Sequence, residues 1–290
     1  MARYALCVGI NEFKSLPRSS WLSGCVNDAN DISKALKKTG FTARNVKVLT
    51  DKQATKKNVM AALEEMVGKA KPGDHIVFTF SSHGTQVPSQ PGDTDEPDDL
   101  DEAFTCYDLK QGGEDWDRKT VILDDELREL FATVPEGVLL EVLMDTCHSG
   151  TGLKDLDDIQ QAMLLGRRPR FLPPPTPRGL NRARSIRSTR PRQVDRKALV
   201  ELTKTKSSSA KPVLYAACRP DQTAADARFD NRPNGAFTYL FLKALAADPS
   251  QTRAQLHSTI TKGLKSEDFE QRSTLEGPAK AKKVAFGQPW

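Results

Sequence analysis

Two apolar runs in this chain stop abruptly at residues that carry chemistry, and few folds accommodate that pattern. Ile76-Val77-Phe78-Thr79-Phe80 runs into Ser81-Ser82-His83-Gly84. Val138 to Met144 runs into Asp145-Thr146-Cys147-His148-Ser149-Gly150. Each run reads as a buried strand of a parallel sheet. In open α/β sheets, ligands and chemistry sit outside the carboxyl ends of the strands. Two such strands side by side would bring His83 and Cys147 together over one edge of the sheet. A thiol beside an imidazole suffices for nucleophilic catalysis.

The surrounding sequence supports that architecture. Tyr4–Ile10 reads as a first strand, and Val26, Ala29, Ile32, Ala35 and Leu36 form one face of a helix ended by Gly40. Val46–Leu49 is a second strand. A helix capped by Thr55 follows to Lys69, and Pro72-Gly73-Asp74 turns into the strand before His83. This alternation predicts an α/β fold with a mostly parallel central sheet and helices on both faces. An acidic stretch comes next, Gly92 to Glu102, then a short strand at Phe104–Tyr107 and a helix capped by Asp124 or Asp125. Residues 165–211 break the pattern with Arg, Pro and Ser, and read as an exposed, partly disordered linker. Pro212–Ala217 restores a strand, and two helices and an edge strand at Lys283–Phe286 follow. The expected organisation is a catalytic region over 1–164, a basic linker over 165–211 and a region over 212–290 that completes the same sheet.

The net charge of +5 conceals an asymmetry, because Arg167 to Lys211 holds fourteen Lys and Arg against Asp195 and Glu201. The rest of the chain is therefore acidic. A nucleic-acid partner would rest on that charge alone, since Phe171 is the one aromatic within the basic stretch, and it is not expected. Five cysteines without paired spacing fit a reducing cytoplasm better than a disulfide framework. The amino-terminal apolar run is too short for a signal peptide. No stretch reaches the roughly 18 apolar residues of a membrane span.

The blocks Ser-Ser-His-Gly at 81–84 and Asp-Thr-Cys-His-Ser-Gly at 145–150 resemble the catalytic blocks of the metacaspases, in the caspase-like clan of cysteine peptidases. The chain departs from the commonest spelling at Ser82, where Gly is usual, and at Thr146, where Cys or Ser is usual. Neither position supplies the nucleophile or the base. The resemblance covers most of residues 1–160 and returns at 212–246. It implies a caspase-like fold and, since the chain opens on its first strand, a form without an N-terminal prodomain.

Cys147 is then the nucleophile and His83 the general acid/base. Gly84 lets a backbone N–H approach the developing oxyanion, and by resemblance that N–H and the one of Cys147 form the oxyanion hole. His148 follows the nucleophile directly, but its side chain should point elsewhere. By the same resemblance Cys25, Asp28, Ser81 and Asp145 line the pocket for the residue preceding the cut bond. Two carboxylates there select Arg or Lys, because an acidic residue would add a third negative charge. Read without the resemblance, Asp28 is equally a first-turn acid favoured by the helix dipole and Asp145 a turn residue. Positions matching Asp101, Asp124 and Asp125 bind Ca²⁺ in calcium-dependent metacaspases. A fourth ligand falls on Asp155, with Lys154 at the strict position. The bland alternative is a solvated acidic loop and an N-cap.

Ala217-Cys218-Arg219 echoes part of the caspase signature Gln-Ala-Cys-x-Gly, but Gln and Gly are missing, and Cys218 reads as the end of a core strand. Cys7 and Cys106 read as core residues, and His75 and His257 as structural. The expected function is a monomeric, calcium-stimulated cysteine endopeptidase that cuts protein substrates after Arg or Lys. It would also process itself in the linker. Pro after Arg168 and Arg190 disfavours those bonds, which leaves sites such as Arg184, Arg187 and Lys206. The alternative is a catalytically silent scaffold whose basic linker binds an acidic partner.

Overall fold

A computed structural model describes residues 1–89, 100–147, 166–188, 212–219 and 222–290. The first half alternates as expected: β1 Arg3–Gly9, α1 Cys25–Lys38, β2 Val46–Thr50, α2 Lys56–Lys69 and β3 His75–Ser81. A small antiparallel layer follows, built from β4 Gly84–Pro88, β5 Leu100–Thr105, the hairpin β6 Gln111–Gly112 with β7 Asp115–Trp116, and β8 Val121–Leu123. Then come α3 Asp124–Ala132, β9 Leu139–Asp145, β10 Arg168–Pro169, α4 Pro177–Ser188 and β11 Val213–Ala216. The chain closes with β12 Ala225–Phe229, β13 Arg232–Gly235, α5 Ala236–Ala247, α6 Arg253–Ser266 and β14 Thr274–Glu276.

The central sheet has the order β14-β11-β9-β3-β1-β2. All its pairs are parallel except β11 with β14. β3 and β9 lie in its middle, and every residue of both is buried, as two-sided coverage by helices requires. Alternate residues of β1 feed opposite cores: Leu6 and Val8 pack with the apolar stripe of α2 and with Leu127 and Phe131 of α3. Ala5 and Cys7 pack with α1, α5 and α6. The Thr55 hydroxyl accepts from the Asn58 N–H at 3.2 Å and so starts α2.

The register sets the site. Gly9 faces Ser81 across β1–β3, and Ser81 faces Asp145 across β3–β9. The carboxyl ends of the three strands are thus level, and β11, arriving from the far side of the chain, lies next to β9.

Four expectations change. The edge strand is β14, and Lys283 closes a 3-10 turn that starts at Ala281, because Leu275 is the apolar anchor that fits the sheet edge. β5 starts at Leu100 rather than Phe104 and pairs with β4, so it carries Asp101 and Glu102 into the protein. The run before Cys147 is not uniformly apolar: Glu141 sits fully buried within β9. Most important, residues 166–188 are not an exposed tether. They form β10, a buried Arg170-Phe171-Leu172 stretch and α4. Arg170, Arg178 and Arg182 pair with acids of the globular part, which a reading of the segment's own composition leaves out. Arg184 and Arg187, expected as accessible cleavage sites, lie within α4. Lys206 lies outside the described residues.

Candidate active site

His83 lies two residues beyond β3 and is buried. Its Nε2 lies 2.8 Å from the Ser20 carbonyl. A carbonyl can only accept, so Nε2 carries the proton and Nδ1 keeps its lone pair. Nδ1 is buried and has no hydrogen-bond partner. Burial pushes the imidazole pKa down to about 4, against the pull of the Ser20 hydrogen bond, so the ring is neutral at physiological pH. The Phe13 ring, 5.5 Å away between centroids, supports it from the side.

Cys147 lies two residues beyond β9 and is buried. Its Sγ accepts from the Ala224 N–H at 2.8 Å and lies 3.6 Å from the Ala224 carbonyl. The Cys218 thiol lies beside it. Cys218 is at a core strand end, as its sequence suggests, with its Sγ 3.3 Å from the Gln222 carbonyl. The Cys147 contact and burial push its pKa well above the ordinary thiol value.

The two backbone donors expected to form an oxyanion hole do converge on one oxygen. The Gly84 N–H donates at 2.9 Å and the Cys147 N–H at 3.3 Å, both to the carbonyl of Arg170. A Cβ at position 84 would lie 1.5 Å from the Cys147 carbonyl oxygen, so only glycine permits this approach.

The Arg170 side chain fills the acidic pocket. Nη2 lies 2.7 Å from Asp28 and 3.0 Å from Asp226, and Nη1 lies 3.0 Å from Asp145. Nη1 also donates to the Asp145 carbonyl at 2.9 Å. Each carboxylate is fixed by donors from elsewhere. Asp28 accepts from the Gly235 N–H at 2.9 Å and the Asn234 amide at 3.0 Å. Asp145 accepts from the Thr238 N–H at 3.0 Å and hydroxyl at 2.7 Å, at the amino end of α5, where the helix dipole favours an anion. Asp226 accepts from the N–H groups of Ser23 at 2.7 Å and Gly24 at 2.9 Å. Burial pushes Asp28 up to about 6, and Arg170 opposes that shift. Cys25 borders the pocket with its thiol pKa pushed well up by burial. Ser81 lies level with Asp145 in the sheet.

The chain passes through this site in extended form. Arg168 and Pro169 pair antiparallel with Asp226 and Ala225, and the Arg170 N–H donates to the Ala224 carbonyl at 2.9 Å. Beyond the carbonyl, the Leu172 N–H donates to the Gly84 carbonyl at 2.9 Å, and the Thr85 hydroxyl donates to the Leu172 carbonyl at 2.7 Å.

Asp101, Asp124 and Asp125 lie close enough to act on one another. Burial, Asp125 and Asp101, in that order, push Asp124 up to about 7. Asp101 pairs with Arg118 at 2.5 Å and with the Ser89 hydroxyl, and Asp125 pairs with Arg128. Among the described residues, no group of three His, Cys, Asp or Glu converges to hold a metal ion. An oxygen-only donor set suits Ca²⁺, but two of these carboxylates already have guanidinium partners. Asp155 and His148 lie outside the described residues.

Arg170, Asp226, Asn234, Thr238, Ala224 and Ser20 are absent from the sequence expectation. Asp226 had a signal: a lone acid within Ala224-Ala225-Asp226-Ala227 must find a donor if that small apolar run is buried. Phe171-Leu172 likewise marked a place in the basic segment with something to bury.

The family described as metacaspase, peptidase C14 domain, matches residues 3–156. Metacaspase-1 of Cryptococcus neoformans var. neoformans serotype D (strain JEC21) is 32% identical over 294 residues, covering 93% of this chain and 61% of the relative. Metacaspase-1A of Aspergillus oryzae is 31% identical over 280 residues, covering 89% and 64%. The chain thus spans less than two thirds of these relatives. Among solved structures, caspase-1 of Spodoptera frugiperda superposes with a TM-score of 0.56 at 13% identity, over 95% of this chain and 86% of that one. A Geobacter sulfurreducens protein superposes at 0.64 with 22% identity, over 98% and 97%. These two likenesses concern the fold, which is caspase-like. No helix among the described residues is long and apolar enough to cross a membrane.

Proposed function

The chain belongs to the metacaspase family of caspase-like cysteine peptidases, and from that premise we propose that it is an endopeptidase that cleaves after Arg, and less readily after Lys. One observation carries the reading: Arg170 occupies a pocket of three carboxylates while its carbonyl lies under the Gly84 and Cys147 N–H groups. Arg170 stands in for the substrate residue that precedes the cut bond.

The mechanism follows from the groups around that carbonyl. Cys147 gives its proton to His83 Nδ1, which the Ser20 hydrogen bond leaves available. The thiolate attacks the carbonyl carbon, and the Gly84 and Cys147 N–H groups stabilise the charge that develops on its oxygen. Collapse breaks the C–N bond, His83 protonates the leaving amine, and water then hydrolyses the thioester. With Arg170 in place the thiol is bonded to the Ala224 N–H and carbonyl, so proton transfer requires Cys147 to change partners.

The pocket supports Arg over Lys. A guanidinium reaches Asp28 and Asp226 through one nitrogen and Asp145 through the other; an ammonium is a single point charge without that fork. A substrate Asp would bring a fourth carboxylate into a buried site.

Calcium stimulation belongs to the same proposal. Asp101, Asp124 and Asp125 would hold the ion, with Asp155 as a further oxygen donor. Its chemistry there would be charge neutralisation; burial, then the charges of Asp125 and Asp101, push Asp124 up to about 7. Asp101 lies on β5, which pairs with β4 from Gly84 onward, so this acidic group shares a sheet with the oxyanion glycine. Self-processing between the β9 and β11 sides, and a cytoplasmic setting, complete the reading.

The test uses purified protein, fluorogenic peptides ending in Arg, Lys or Asp, and added calcium. Turnover should follow Arg, then Lys, with none for Asp, and Cys147→Ala should be inert. Efficient cleavage of the Asp peptide would refute the pocket assignment.

A further inference from the structure

We infer that Arg170–Phe171 is the bond this enzyme cuts in itself, and that the cut leaves residues 166–170 in the site as a tethered product inhibitor. This rests on the peptidase reading above and adds the bond and its consequence.

The identity of the bond follows from register. Every feature that a bound substrate needs meets at Arg170: the side chain in the carboxylate pocket, the N–H on the Ala224 carbonyl, and the carbonyl under two N–H donors. Neighbouring basic residues fail on one count or another. Arg167 is turned outward, with its guanidinium donating to the Glu267 and Asp268 carbonyls and lying 4.2 Å from the Phe269 ring centroid. Arg168 is followed by Pro169. Arg178, Arg182, Arg184 and Arg187 belong to α4, whose backbone would have to unwind before entering an extended cleft.

The reaction balances with water alone. Cys147 displaces the Phe171 nitrogen, which leaves as an amine with a proton from His83. Water then releases Arg170 as a carboxylate and restores the thiol.

What the cut does not remove is equally visible. The amino-terminal side stays covalently joined to the sheet through β9. It keeps the pairing with β12, the Arg167 contacts, and the Arg168 donations to the carbonyls of Ser19 at 3.2 Å and Trp21 at 2.7 Å. Arg170 keeps its three carboxylates, and its new carboxylate can accept from the same two N–H groups. Tethering places this product at an effective concentration in the millimolar range. The other new end is also held, since the Trp116 indole N–H donates to the Pro173 carbonyl at 3.0 Å. A free substrate must therefore compete with a product that does not diffuse away.

The experiment compares wild type, allowed to cut in excess calcium and checked by intact mass, with Arg170→Ala and with the double variant Arg167→Ala, Arg168→Ala. Wild type should break between 170 and 171, and Cys147→Ala should not break. On a fluorogenic Arg peptide, cut wild type should show a KM at least about tenfold above that of Arg170→Ala, at equal kcat. The double variant, which leaves Arg170 in place, should fall between them; it supplies the comparison if Arg170→Ala does not fold. A cut at another bond, no cut at all, or a cut wild type with the KM of both variants overturns the inference. If folded Arg170→Ala cleaves no Arg peptide, it is the peptidase reading that fails.

Discussion

Among the described residues two arginines are fully buried, one towards each end of β9, and they are built on opposite principles. Arg253 meets Glu141 near the start of the strand. Its Nε donates to Glu141 at 2.7 Å, and its other nitrogens donate to the carbonyls of Ala281 at 3.0 Å and Gln288 at 2.8 Å. Glu141 is completed by His75 Nε2 at 2.8 Å and the Gly287 N–H at 2.9 Å. One cation faces one anion, and the residues that supply them lie in a helix and a strand. Arg170 meets three carboxylates beyond the other end of β9, from the stretch between β10 and α4. Balanced charge is a lock. Surplus carboxylate, held in place by backbone N–H groups from other parts of the chain, is a socket.

The contrast can be broken at several points. The largest effect belongs to the chemistry above the socket: Cys147→Ala and His83→Ala should each lower turnover of an Arg peptide by at least 10²–10⁴ while leaving the unfolding transition in place. Substantial turnover by either folded variant would remove the dyad assignment. Next comes the lock. Glu141→Ala strands a buried guanidinium and should cost roughly 3–5 kcal/mol of stability by denaturant titration, with the Arg-to-Lys preference of the remaining folded enzyme unchanged. Asp226→Asn should do the reverse, costing roughly 2–5 kcal/mol in kcat/KM for Arg peptides and far less in stability. If Glu141→Ala altered selectivity instead, the two clusters would not be separate devices.

A subtler effect concerns calcium and pH. Asp124 is held up to about 7 from an ordinary 3.8, so the folded protein keeps this proton more tightly than the unfolded chain does. Its ionisation therefore costs stability progressively as pH rises from the lower value to the higher. A bound cation would expel the proton. The calcium concentration for half-maximal activity, on the order of 10⁻⁴ to 10⁻³ M, should fall as pH rises towards 7 and level off above it. Full activity in excess chelator would show the acids to be a solvated face. The smallest change is expected for Cys218→Ala, which should keep most activity in the same assay. Its loss would mean that the thiol contact to Cys147 serves the reaction.

What could be read from residues alone follows the same division. The ends of β3 and β9, and with them His83 and Cys147, were legible because an apolar run that stops at polar residues has few meanings. Asp28 and Asp145 were legible as acids and the structure brings them onto one guanidinium, although a first-turn acid looks the same in a sequence. Glu141 was hidden by the apolar residues on both sides of it. Arg170 was hidden by its own neighbourhood: averaged over 165–211 it is one of many basic residues, and only long-range contacts distinguish it. Ser20 left no trace, because the atom that matters there is a carbonyl oxygen that every residue has.

That last point reaches further. The partner that orients the imidazole of His83, the proposed base, belongs to the main chain of a 3-10 turn, Arg18–Ser20. Substituting its side chain would not remove it. A side-chain scan of the active site would therefore report a two-residue machine and pass over the third member. Only changes that move the turn itself would expose it, such as an inserted residue or a backbone ester that weakens the carbonyl as an acceptor. Arg168 donates to the carbonyls on either side of that oxygen, those of Ser19 and Trp21. On the proposed mechanism, an Arg two residues ahead of the cut position would grip the support of the base, and substrate length would bear on proton transfer as well as on binding.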